Sequence, residues 1–191
     1  MAFRAFLIAM AGVLLIAQAG AAVETGNPQF VVKTDLGEIR IELYADKAPE
    51  TVRNFRNYVD RHFYDGVIFH RVVKGFMIQA GGYTFDLFEK SPGEPVVNES
   101  GNGLRNRRGT LAMARLSEPD SARAQFFINL ANNRHLDPKG GEPGYTVFGR
   151  VVDGMNVVDA IAREPVRREA EFTHLPKVPV RILSITPLEQ P

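Results

Sequence analysis

Arg71 and Gln79 stand among large apolar side chains in the run Phe69-His70-Arg71-Val72-Val73-Lys74-Gly75-Phe76-Met77-Ile78-Gln79-Ala80-Gly81-Gly82. A planar, permanently charged guanidinium beside apolar surface suits a ligand that presents an apolar ring with a hydrogen-bond acceptor next to it. An X-Pro peptide bond is such a ligand.

Two short strands must position these groups, 68–73 and 77–80, both rich in β-branched or apolar residues and separated by Lys74-Gly75. A two-residue loop would set Arg71 opposite Ile78. A three-residue loop through Lys74-Gly75-Phe76, with Gly75 free to take positive φ, would set Arg71 opposite Gln79. The second register groups the polar residues. Alternation then predicts Arg71, Met77 and Gln79 on one face, read as a site, and His70, Val72, Ile78 and Ala80 on the other, read as core.

Around this hairpin the chain reads mostly as strands. Residues 30–34 and 38–43 flank a turn at Asp35-Leu36-Gly37, and Pro49 opens a helical pattern with Val52, Phe55, Tyr58 and Val59 on one face, ending near His62. Its charged side, Arg53, Arg56 and Asp60, reads as solvated. Segment 81–103 is a Gly- and Pro-rich excursion with little regular structure expected, either packed or mobile. Strands resume at 109–114, 125–130 and 145–151, a second helix follows on Met155, Val158, Ile161 and Ala162, and a last strand covers about 180–185. Many strands, two helices and frequent Gly/Pro punctuation predict an antiparallel barrel or sandwich.

The chain has 191 residues, 45% hydrophobic and 24% charged, enough for one well-buried domain. Its first 21 residues read as a secretory signal: Arg4 supplies the positive region, 5–17 the apolar run, and Ala19-Gly20-Ala21 the cleavage site. The run is shorter than the roughly 20 residues of a membrane helix, so no stable anchor is expected. Residues 22–28 read as a linker and 29–188 as the domain. Without cysteine there is neither disulfide nor thiol chemistry. Removing the signal takes away Arg4, leaving 22 basic against 22 acidic residues, so overall charge favours neither nucleic acid nor anionic membrane.

The 69–82 run closely resembles the signature of the cyclophilin family of peptidyl-prolyl cis-trans isomerases. Gly109-Thr110-Leu111-Ala112-Met113-Ala114, Gln125-Phe126-Phe127-Ile128 and Val147-Phe148-Gly149 match in the family's order, so the likeness covers roughly residues 29 to 186. Asn102-Gly103-Leu104-Arg105-Asn106 and the signal resemble the exported, periplasmic Gram-negative branch. The resemblance implies a closed eight-stranded antiparallel β-barrel capped by two α-helices. It implies Arg71 as the catalytic arginine, Phe76, Met77, Phe127 and Leu136 as the proline pocket, and Gln79 and Gln125 as substrate hydrogen-bonding groups. Ala114, Arg115, His135 and Tyr145 complete the implied substrate contacts. Alternation independently pairs Gln125 with Phe127 on one face and leaves Phe126 and Ile128 for the core.

Three positions depart from the best-known family pattern. His135 stands where many members carry a tryptophan, which implies weak cyclosporin binding because the indole supplies apolar area and a donor. Tyr145 replaces a histidine, arguing against a required acid-base histidine. Arg115 replaces an asparagine that contacts substrate backbone, and the loop between 114 and 125 is one residue longer.

The implied reaction breaks no bond. Resonance opposes rotation by about 18–20 kcal/mol, and a twisted amide has a pyramidal prolyl nitrogen able to accept a hydrogen bond. Catalysis then needs stabilisation of that geometry and no cofactor, nucleophile or metal. A ten-thousand-fold acceleration needs about 5.5 kcal/mol, on the scale of one charge-assisted hydrogen bond and a shaped, partly desolvated pocket. Partners are expected to be proline-containing polypeptides, and the chain is expected to be a monomer. A proline-binding module without turnover is the alternative, and Arg71 favours the enzyme. Ser117, Ser121 and Ser184 lie in no nucleophile elbow. His62, His135 and His174 have no metal-ligand spacing. Arginines 105, 107, 108, 115, 123 and 134 read as solvated loop charges rather than a nucleic-acid patch.

Overall fold

The computed structural model describes residues 27–188; the signal-like segment 1–21 and the first part of the linker lie outside the described residues. Alternating burial builds the first hairpin. In β1 (Gln29–Thr34) and β2 (Gly37–Leu43), Phe30, Val32, Ile39, Ile41 and Leu43 point inward, and the pairing of Thr34 with Gly37 leaves Asp35-Leu36 as the turn.

Helix α1 (Pro49–Asp60) follows, burying Val52, Phe55, Tyr58 and Val59 in the main core. Its N-cap residue, Ala48, has no side chain able to cap. Glu99, from the 81–103 excursion, takes over: its carboxylate accepts from the backbone of Glu50 at 3.1 Å and of Thr51 at 2.9 Å, where the helix dipole favours negative charge. The excursion is therefore a packed loop. Gly93 N also donates to the Tyr58 hydroxyl at 2.9 Å, and Val96 is buried.

Strands β3 (Arg71–Val73), β4 (Met77–Ala80), β5 (Thr110–Met113), β6 (Phe126–Asn129) and β7 (Val147–Asp153) come next, then α2 (Met155–Ile161), which buries Val157, Val158 and Ile161. After it come β8 (Val166–Glu169), β9 (Phe172–Pro176) and β10 (Ile182–Pro187). Eight of these form one curled antiparallel sheet in the order β10-β1-β2-β7-β5-β6-β4-β3. Its two edges meet just before β3 and β10: Ile68 bridges Arg181, Phe69 N donates to Val180 O at 2.9 Å, and Ile182 N donates to Val67 O at 2.7 Å. The sheet encloses one aromatic-rich core, in which Phe55 touches the rings of Phe30, Tyr64, Phe126 and Phe148.

The strand expected from residue 68 begins at Arg71, because the residues before it make single bridges to two different partners rather than a ladder. Strand 145–151 is shifted to Val147–Asp153, and the last strand to Ile182–Pro187. The β8–β9 hairpin was not expected: Val166-Arg167-Arg168-Glu169 shows no apolar alternation, and its turn places a non-glycine residue, Ala170, at φ 47°. Among the described residues no helix is long and apolar enough to cross a membrane.

Candidate active site

Strand β3 turns into β4 through Lys74-Gly75-Phe76, with Gly75 at φ 73° and Phe76 N donating to Val73 O at 3.0 Å. That three-residue turn sets Arg71 opposite Gln79. The register continues across the sheet, Gln79 opposite Phe127, Phe127 opposite Ala112, and Ala112 opposite Val147. Neighbouring strands lie about 4.8 Å apart, so one row runs over five strands from a cation and an amide at one end to apolar side chains at the other. The alternate residues, Val72, Ile78, Phe126, Ile128 and Leu111, fill the barrel core.

The apolar end of the row forms a second cluster. Met77, Ala112, Phe127 and Val147 are buried there, and Phe76, Leu104, Ala114, Leu136 and Tyr145 pack against them half-exposed. Ala112, small and fully buried, lies opposite Phe127. His135 is exposed and stacks on Phe76 with centroids 5.4 Å apart, while Tyr145 meets Phe127 edge-on at 5.8 Å.

Arg71 stands at the rim. Its side chain is exposed, it takes part in no ion pair among the described residues, and its Cζ lies 6.0 Å from the Phe76 ring centroid. Its Nη1 donates to Gln79 Oε1 at 3.3 Å, and Gln79 Nε2 donates to Gln125 Oε1 at 2.9 Å. The amide relay orients Arg71 without neutralising it, leaving further guanidinium donors for a ligand. Gly82 makes room for the relay: a Cβ there would lie 2.6 Å from Gln125 Nε2.

The expected site residues thus lie along one surface, where two side chains have surroundings that alternation did not give. The Arg115 guanidinium is already engaged, donating to the carbonyls of Leu116, Ser117, Pro143 and Gly144 at 2.9–3.1 Å and lying over the Tyr145 ring. Its side chain therefore ties two loops of the rim together. His70 is buried, as alternation required, yet outside the barrel core: it packs between Tyr83 and Phe172 and borders a hollow with Arg71, Gln79 and Gln125. Burial, helped by the charge of Arg71, pushes its pKa down to about 4.

Sequence reasoning did not single out Ala112, Val147 and Leu104 as lining. Alternation against Leu111 and Met113 offered the signal for Ala112, but Leu104 carried none. Nor did it find the polar support beneath. Asn133 Nδ2 donates to Phe76 O at 2.9 Å and to Asn129 Oδ1 at 2.7 Å, and Asn129 Nδ2 donates to Asn106 Oδ1 at 3.1 Å. Asp137 Oδ1 accepts from Asn106 N at 2.7 Å, fixing the end of the Leu136 segment. Among the described residues no group of three or more His, Asp or Glu side chains could hold a metal ion.

A curled eight-stranded antiparallel sheet thus carries a cation, an amide pair and an apolar cluster on its outer surface. The sequence profile "Cyclophilin type peptidyl-prolyl cis-trans isomerase/CLD" matches residues 29–187. The chain is 49% identical to a peptidyl-prolyl cis-trans isomerase of Acinetobacter baylyi, over 93% of this chain and 92% of that one. It is also 49% identical to peptidyl-prolyl cis-trans isomerase B of Escherichia coli, over 80% of this chain and 95% of the relative. A Cryptosporidium parvum cyclophilin solved in the presence of the dipeptide Ala-Pro superposes with a TM-score of 0.72 at 26% identity, covering 85% of this chain and 99% of that one. The chain belongs to the cyclophilin-type family, and its activity is peptidyl-prolyl cis-trans isomerisation on proline-containing peptides.

Proposed function

We propose that Arg71 performs the catalytic step, donating a hydrogen bond to the prolyl nitrogen as it turns pyramidal, while Phe76, Met77, Phe127 and Leu136 hold the ring. The observation that carries this reading is the exposed Arg71 guanidinium, hydrogen-bonded among the described residues only to Gln79 and set beside the Phe76 ring at the edge of the apolar cluster. A ground-state amide nitrogen is a poor acceptor, so the donation strengthens only as the bond twists, which is the differential binding catalysis requires. Gln79 and Gln125 hold the client backbone beside the turning carbonyl. Tyr145 and His135 shape the rim, and no acid-base group takes part.

The enzyme works on exported proteins in the periplasm, where slow X-Pro isomerisation limits folding; the signal-like segment 1–21 supports this reading. It acts as a monomer, residues 29–188 form its domain, and the absence of an indole at His135 makes it a weak cyclosporin binder.

The test is exchange spectroscopy on a short Ala-Pro peptide. Mature protein should speed cis-trans exchange, and Arg71→Ala should lower turnover by about a hundredfold or more while peptide binding falls by less than about tenfold. Near-normal turnover by folded Arg71→Ala would overturn the assignment. Periplasmic fractionation, with and without residues 1–21, tests the location.

A further inference from the structure

On the far side of the 3-10 turn Arg134–Leu136 from the prolyl hollow lies an open polar pocket of about 500 Å³, lined by Arg105, Asn106, Arg107, Asn132, Arg134 and Asp137. Three guanidiniums meet there with one carboxylate. Asp137 is nearly spent within the fold: its side chain is 4% exposed, and its oxygens accept from Asn106 N, from Asn106 Nδ2 at 3.2 Å and from Arg105 Nη1 at 3.4 Å. It offsets Arg105 at most.

The other loop arginines are committed elsewhere. Arg108 forms a two-pronged pair with Asp159, Arg115 holds four carbonyls, and Arg123 donates to Gly93 O. Arg107 and Arg134 differ: both are exposed, and among the described residues neither guanidinium has an ion pair or hydrogen bond. Two uncompensated cations facing one polar pocket leave a local excess of positive charge in a chain whose overall charge is nearly balanced.

The pocket and the prolyl hollow share backbone. Arg134 immediately precedes His135, which stacks on Phe76, and lies two residues before Leu136 in the hollow, a rise of about 4 Å along a 3-10 helix. Asn106, which lines the pocket, also donates to Tyr145 O at 3.3 Å. A polypeptide with its proline in the hollow that continues over the His135 rim therefore passes the two free guanidiniums.

We propose that this pocket is a second recognition site, taking the carboxylate of an Asp or Glu a few residues from the proline on the flank that crosses His135. This rests on the hollow being where proline binds. Arg107 and Arg134 supply the attraction, Arg105 and the Asn132 amide line the pocket, and buried Asp137 fixes its wall. The substrate preference is for acidic sequence on one side of the isomerised bond.

Binding of matched peptides tests this, with Glu or Gln placed two or three residues before or after a single Ala-Pro, and dissociation constants read by chemical-shift titration. Glu should bind about three- to tenfold more tightly than Gln on one flank only, as a few partly exposed ion pairs would give. The Glu-to-Gln ratio should fall to about one in Arg107→Gln/Arg134→Gln, and Arg134→Glu should prefer Lys at the same position. Equal affinities, a preference that survives in the double variant, or one of equal size on both flanks would overturn the proposal. So would arginine-dependent capture of a single-stranded oligonucleotide by a protein that does not discriminate the peptides. Because the ratio is a binding measurement, it stands apart from the catalytic reading: near-normal exchange by Arg71→Ala with the ratio intact would sink that reading and spare the pocket.

Discussion

Asn133 Nδ2 donates to the carbonyl of Phe76 at 2.9 Å, tying the tip of the β3–β4 turn to the segment that carries His135 and Leu136. Two segments that flank the apolar cluster, 57 residues apart in the chain, are thus tied by a buried amide that also bonds Asn129. Asn133→Ala is expected to leave Asn129 Oδ1 without this donor, while Phe76 O keeps its bond from Leu130 N at 2.9 Å, and to cost about 1–3 kcal/mol by urea denaturation. KM should rise more than kcat falls, because the two segments drift while Arg71 is untouched. An unchanged KM together with unchanged stability would contradict this account.

Arg71→Lys keeps the charge and loses the fork. An ammonium cannot hold Gln79 and aim a second, fixed donor at the prolyl nitrogen together. Turnover is expected to fall at least tenfold in the same exchange measurement, with peptide affinity nearly kept. Full activity would mean that charge alone suffices.

Gly82→Ala probes the amide relay with little disturbance to the core. The added Cβ would press on the Gln125 side chain, the mobile end of the contact, at 2.6–3.0 Å. Stability should change by less than about 1 kcal/mol, since a flexible side chain can move aside. Gln125 would then leave Gln79, and kcat/KM should drop severalfold. Retained kcat/KM would remove Gln125 from the machinery.

His70 makes stability depend on pH. Its folded-state pKa, about 4, lies below the ordinary 6.5, so the unfolded chain binds a proton that the folded chain refuses. Stability is full above pH 6.5 and declines as pH falls toward 4, by about 3 kcal/mol in all. His70→Gln should flatten the part of the urea-midpoint profile that falls in this window. The His70 imidazole stays neutral near pH 7, so His70→Gln should leave the pH dependence of kcat between pH 6 and 8 unchanged. A slope unchanged in His70→Gln would assign the pH dependence to the carboxylates.

Local rules carried much of the fold. Gly75 permits the three-residue turn, the turn selects the register of Arg71 against Gln79, and period-two alternation separates Met77, Gln79 and Phe127 from Ile78, Ala80, Phe126 and Ile128. The helix beginning at Pro49 was legible from its apolar spacing, but its cap was not. Ala48 offers no oxygen, and Glu99 arrives from a loop 49 residues away. The β8–β9 hairpin escaped because its first strand is charged and exposed, and its contribution, burying His70 under Phe172, belongs to packing.

Sequence by itself determined the family, the strand faces and the residues with chemistry to offer, because steric turn preferences and side-chain alternation act between near neighbours. Tertiary structure decided which of those residues are free to use that chemistry. Arg115 is occupied by four carbonyls, Arg108 by Asp159, and Arg107 and Arg134 by nothing among the described residues, although all four read alike as loop arginines. Whether a charge is satisfied depends on which distant carbonyl or carboxylate the closed sheet brings within about 3 Å, and one-dimensional spacing does not encode that distance.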